Sequence, residues 1–186
     1  MAREIEDRYN EGAILGNLGI AHRALGDVKS AIECYEQNLK IAQETGNRRG
    51  QAAVLGNLGN AYGMSGDLRR AIEYHEQNLA IAREIGDRNG QVAALANLGV
   101  AYRESGDLER AFEFLERALT IAREIGDVMC AAHASLNLAV LLAGQSRWPE
   151  ALSNAQYSAQ AYAQAGHEEY AQEARQLIGQ IHRQVS

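Results

Sequence analysis

Apolar residues recur along this chain at spacings of three and four, the signature of one buried face on a helix. Leu15, Leu18, Gly19 and His22 share such a face, and Leu55, Leu58, Gly59, Tyr62 and then Leu95, Leu98, Gly99, Tyr102 repeat it. A second helix follows each set, with Val28, Leu68, Leu108 and Trp148 at its start, Ala31, Ala71, Ala111 and Ala151 one turn on, and Leu39, Leu79 and Leu119 further along. Both sets are expected in the core. Between the helices stands a regular punctuation: Gly26-Asp27, Gly46-Asn47, Gly66-Asp67, Gly86-Asp87, Gly106-Asp107 and Gly126-Asp127. Glycine tolerates the left-handed conformation that ends a helix, and Asp or Asn accepts from the free N–H groups that begin the next. Each step is a stop and a restart.

The longer self-similarity spans two such steps: LGNLGIAHRALGD from Leu15, LGNLGNAYGMSGD from Leu55, LANLGVAYRESGD from Leu95 and the weaker SLNLAVLLAGQSR from Ser135. The unit is therefore a helix A, helix B hairpin, with helices of about 15 residues and ~22 Å. Residues 11–50, 51–90 and 91–130 form three regular repeats, and 131–166 a degenerate fourth. Residues 1–10 resemble the end of a preceding helix B, since AREIEDR copies AREIGDR at 82–88. Glu6 replaces the stop glycine there and lets this remnant run into the first helix A. Residues 167–186 are expected to cap the last apolar face. The punctuation fails at Ser146-Arg147, and at Gly166-His167 the acid is missing. A glycine inside a helix costs about 1 kcal/mol relative to alanine. At Gly19, Gly59 and Gly99 the compensation is a close approach of helix B.

The pattern Leu-x-x-Leu-Gly-x-x-Tyr, Gly-Asp, Ala-Ile-Glu-Tyr resembles the tetratricopeptide repeat over essentially the whole chain. The period here is forty where that family commonly has 34, and Gly-Asp stands where its helix B normally meets proline. This longer form looks like the arrays of Pins and LGN polarity adaptors, kinesin light chains and bacterial signalling proteins. The resemblance implies an all-α fold, a right-handed α-solenoid of antiparallel helix hairpins whose helices A line a concave groove.

On the helical wheel, the side of helix A turned away from the core carries Asn17 and Ile20; Asn57, Asn60 and Met64; Asn97, Val100 and Glu104; and His133, Asn137 and Val140. Arg23 and Arg103 lie at its edge. A row of carboxamides offers donors and acceptors to a peptide backbone, and the family uses such asparagines in that way. These residues are the candidate peptide-binding site, with an apolar stripe for side chains. The expected partner is a peptide or helical segment of another protein. Two other readings are a spacer or self-associating segment of a longer array, pairing through its terminal helices, and the sensor domain of a multidomain signalling protein.

Composition narrows the chemistry. One proline in 186 residues leaves the chain free to be helical, and a net charge of −6 with scattered arginines argues against a nucleic-acid backbone as ligand. No run approaches the length of a membrane span, and the charged N-terminal stretch is unlike a secretory signal, so a cytoplasmic location is expected. Cys34 and Cys130 match no metal or redox spacing and are expected to be packed thiols. The five histidines form no ligand set, and Asp27, Asp67 and Asp107 are explained by helix capping. Neither catalysis nor a cofactor is expected.

Overall fold

The computed structural model of the chain describes residues 2–185, with side chains from residue 7 onward. The described residues form nine α-helices and no strand: α1 (Ala2–Ala24), α2 (Val28–Glu44), α3 (Arg48–Met64), α4 (Leu68–Glu84), α5 (Arg88–Ser105), α6 (Leu108–Glu124), α7 (Val128–Gly144), α8 (Trp148–Gln164) and α9 (Glu168–Val185). Helix α1 is continuous through Glu6, where later repeats carry the stop glycine. Two compact units divide the chain inside α5, Met1–Ala94 and Leu95–Ser186.

The turns follow from the punctuation. At the end of α3, Gly66 has φ +83°; its N–H donates to the Gly63 carbonyl at 3.0 Å, and the Asp67 N–H donates to that of Tyr62 at 3.0 Å. The Asp67 carboxylate then accepts from the Arg70 N–H at 3.1 Å, capping α4. This pairing satisfies carbonyls at one helix end and an amide at the next. At the irregular step the same backbone persists without its usual residues. Ser146 takes φ +59°, and Arg147 stands at the cap of α8 without accepting from its first N–H groups. A side chain in the left-handed region costs on the order of 1 kcal/mol. Ser146→Gly is therefore expected to raise stability by about 1 kcal/mol, read as a higher urea midpoint.

In the first unit, Ala31 and Tyr35 of α2 and Ala71 of α4 enclose Val54, Leu58, Ala61 and Tyr62 of α3. In the second, Tyr162 and Ala159 of α8 pack with Leu136 of α7 and with Ala171 and Ala174 of α9, so that α9 covers the last hairpin. The core differs from expectation at two kinds of position. Leu18 is about half exposed (46%) although Leu58 and Leu98 are fully buried, because no described residue lies over that side of α1. Leu108 is also exposed, and Val28, Leu68 and Trp148 are only half-buried. These open their helices beside the cap, where one flank still faces solvent.

The helical glycines have the expected purpose. A Cβ at Gly19 would stand 2.5 Å from Tyr35 Cε1, at Gly59 2.5 Å from His75 Cε1, and at Gly99 2.5 Å from Leu115 Cγ. Each glycine admits one large side chain from its own hairpin partner. In the fourth hairpin the corresponding positions hold Ala139 and Ala155, both fully buried. At the open ends of the first two hairpins an arginine of helix A meets a glutamate ending helix B: Arg8 with Glu44, and Arg48 with Glu84. All four are solvent-exposed, where such pairs contribute about 0–1 kcal/mol.

Candidate functional site

Within the first unit, the wheel turns Asn17 and Ile20 of α1 and Asn57 of α3 away from the hairpin core, and all three reach solvent. They open into one cleft of about 220 Å³. Its floor is α2, through Asn38 and Ile41, and Asn47, the cap of α3, forms part of the rim. Four carboxamides thus converge on a lining that contains no charged side chain. Local sequence explains the depth. A Cβ at Gly12 would lie 3.0 Å from Asn38 Oδ1, and one at Gly16 2.9 Å from Asn38 Nδ2. The bare face of α1 leaves Asn38 its place. Asn47 Oδ1 accepts from the Gly50 N–H at 2.9 Å, so that carboxamide keeps its N–H groups for other partners.

The remaining first-unit candidates lie outside this cleft. Asn60 is half-buried and Met64 exposed, one and two turns further along α3. Arg23 is half-buried at the end of α1, and its Nε has no hydrogen-bond partner among the described residues.

In the second unit, Asn97 and Val100 are half-buried on α5, and Glu104 is exposed. The Arg103 guanidinium lies 3.9 Å from the Glu104 carboxylate, which offsets its charge within the chain. On α7, Asn137 Nδ2 donates to the His133 carbonyl at 3.1 Å, so one of its donors braces its own helix. His133 Nδ1 stands 3.3 Å from the Tyr162 hydroxyl of α8, and Tyr162 stacks on Tyr170 of α9 at 5.1 Å. Burial holds the His133 imidazole below its ordinary pKa, against the pull of Glu173, and raises the Tyr162 phenol to about 12. His133 is thus solvent-exposed on one side and has a partner inside the fold on the other. Val140 remains open to solvent. Where the first unit has Asn38 and Asn78 on helix B, the second has Ala118 and Ser158, both fully buried.

The structure thus brings Asn17, Ile20 and Asn57 together and adds Asn38 and Asn47, which inspection of helix A alone overlooks. Their signal was the pair Gly12 and Gly16, one turn apart on the side of α1 that faces α2.

Residues 10–84 and 64–124 match the family model described as the tetratricopeptide repeat. No curated protein matches the sequence. Among solved structures, the chain is similar to the signal transduction ATPase with numerous domains and a tetratricopeptide repeat sensor from Pyrococcus horikoshii, at 17% identity and TM-score 0.82, covering 92% of this chain and 27% of that one. Aspartyl phosphate phosphatase F from Bacillus subtilis is similar at 13% identity and TM-score 0.86, over 91% of this chain and 45% of that one. The nearly identical repeats of a kinesin light chain from Podosopora anserina are similar at 21% identity and TM-score 0.67, over 94% and 96%. The chain spans half or less of the first three solved relatives. At these identities the likeness is one of fold.

Proposed function

The chain belongs to the tetratricopeptide repeat family, and from that premise we propose that it is a non-catalytic module whose helix-A faces hold a segment of another protein. The observation that supports this is the uncharged cleft in which Asn17, Asn57, Asn38 and Asn47 converge beside Ile20 and Ile41. A carboxamide can donate to a peptide carbonyl and accept from a peptide N–H, which suits an extended backbone whatever its side chains. A charged ligand group would lose water there without gaining an opposite charge, a net cost. The cleft therefore favours a neutral stretch of backbone carrying small apolar side chains. The sensor named in the Pyrococcus structure and the kinesin light chain suggest two settings, a sensing segment of a larger signalling protein or an adaptor.

The test is binding of candidate partner peptides before and after Asn17→Ala plus Asn57→Ala. Each lost hydrogen bond is worth about 1 kcal/mol net, so affinity is expected to fall roughly tenfold or more while the thermal midpoint barely moves. Unchanged affinity for every peptide that binds the native chain would remove the cleft from consideration.

A further inference from the structure

The carboxamides of the cleft are not equivalent. Asn17 and Asn57 belong to the two helices A that form its walls, whereas Asn38, on α2, is part of the floor. Asn38 is half-buried, and no hydrogen bond joins its side chain to another described residue. Its Oδ1 lies against Gly12 and its Nδ2 against Gly16, so a side chain at either glycine would press on the amide. Two hydrogen-bonding edges are therefore held low in the cleft, partly shielded from water and unmatched within the protein. At the rim, Asn47 has committed its Oδ1 to the Gly50 N–H and presents donors, while the Thr45 hydroxyl donates to the Ile41 carbonyl at 2.8 Å and is left as an acceptor.

The arrangement occurs once among the described residues. In the second hairpin Asn78 keeps the contact with a glycine, since a Cβ at Gly56 would lie 2.9 Å from its Nδ2, but it is only 8% exposed. Ala52 stands in the place of Gly12, and Asp87 in the place of Asn47, where it brings a carboxylate with no donor. Ala118 and Ser158 hold the corresponding positions of the second unit, both fully buried.

A backbone that runs between Asn17 and Asn57 stands above α2, and only a side chain descends from it to Asn38. There it meets a call for a donor and an acceptor side by side, in whichever sense the Asn38 amide is turned. A carboxylate offers no donor and finds no cation in the lining; an ammonium or guanidinium offers no acceptor and finds no carboxylate. An aliphatic side chain would seal the amide from water with nothing to bond. A hydroxyl carries both functions on one atom and does not span the two edges. We infer that the cleft is a seat for one primary carboxamide side chain, Asn or Gln, of the bound segment, paired edge to edge with Asn38. This seat presupposes a peptide in the cleft, and it gives that peptide a register. Carboxamides that grasp backbone accept any register, because every residue of an extended segment presents the same groups; Asn38 selects a carboxamide flanked by small apolar residues.

The probes are four pools of acetylated, amidated heptapeptides, with flanks randomised over Gly, Ala, Ser and Val and a central Gln, Asn, Glu or Met. Each is titrated into the full, isotopically labelled chain and followed by nuclear magnetic resonance at the side-chain NH2 groups of its asparagines. The Gln or the Asn pool is expected to half-saturate at a concentration about tenfold below the Glu and Met pools, and to shift the Asn38 and Asn47 signals. Asn38→Leu, its fold checked by circular dichroism, retains binding and reverses the order, so that the Met pool becomes the tightest. Asn17→Ala plus Asn57→Ala weakens all four pools by a similar factor and leaves their order. Glu or Met pools that equal the carboxamide pools on the native chain, shifts that spare Asn38, or an order that survives Asn38→Leu overturns the seat. A carboxamide preference that Asn38→Leu abolishes, but that the double alanine variant does not weaken, keeps the seat and removes the backbone contacts. Absence of binding by every pool overturns both.

Discussion

Leu115→Ala is expected to cost about 2–4 kcal/mol, and adding Gly99→Ala is expected to recover part of that loss even though Gly99→Ala alone destabilises. The basis is the packing of α5 against α6 in the second unit. Leu115 is fully buried, and a Cβ at Gly99 would lie 2.5 Å from its Cγ and 3.2 Å from the Ala111 carbonyl oxygen. Overpacking of this kind costs about 1–3 kcal/mol, against about 1 kcal/mol gained by removing a mid-helix glycine. With Leu115 shortened, the steric term falls and the helical gain remains. Ala139 and Ala155 show the same small–small solution in the fourth hairpin. Urea unfolding of the two single variants and the double variant should give a coupling of about 2 kcal/mol. Additivity to within about 0.5 kcal/mol would mean that the glycine is not there for the leucine.

The second large effect is acid sensitivity through His75. Its ring is buried against Gly59, its Nδ1 has no hydrogen-bond partner among the described residues, and burial lowers its pKa from 6.5 to about 4. The unfolded chain therefore takes up a proton below pH 6.5 that the folded chain accepts only near pH 4. Stability is fully present above pH 6.5 and falls as the pH drops towards 4, by roughly 2 kcal/mol at pH 5 and about 3 kcal/mol at pH 4. His75→Leu, which places at Gly59 the side chain that Gly99 already accommodates, is expected to remove most of this slope and to raise stability at pH 7. His133 is shifted in the same direction and contributes to the slope that remains, with the carboxylates of Glu44, Glu84 and Asp127, whose pKa values are lowered by their hydrogen bonds. Unfolding midpoints of both chains across pH 7 to 4.5 test this, and parallel curves would exclude His75 as the cause.

Much of this was legible in residue patterns because repetition multiplies weak signals. One Gly-Asp is a common dipeptide, whereas five and a Gly-Asn at equal spacing define the helix ends before any packing is known. The conserved shape of the backbone at Ser146 shows the limit of that reading: neighbouring turns impose the left-handed conformation on a residue that does not favour it. Leu18 was misread for a different reason. Its periodicity states which way the side chain points, but whether a neighbour lies there depends on the preceding helix. The candidate site was legible where it depends on one helix, as with Asn17 and Asn57. It was not where a second helix contributes, as with Asn38 behind Gly16, or Tyr162 beside His133.

Near-identical repeats carry a hazard during folding, because any helix A could in principle pair with the wrong helix B. The exposed arginine–glutamate pairs give no protection, since Arg8 would accept Glu84 as readily as Glu44. The glycine contacts discriminate at one hairpin. Tyr35, His75 and Leu115 each face a glycine, which offers the same room to any of the three, whereas Ala155 belongs with Ala139. An exchange that set Tyr35 against Ala139 would drive a ring into a methyl group. That alanine thus acts as an address for the fourth hairpin, keeping its helix A from the larger side chains of the other helices B in a chain whose other signals are almost the same from one repeat to the next.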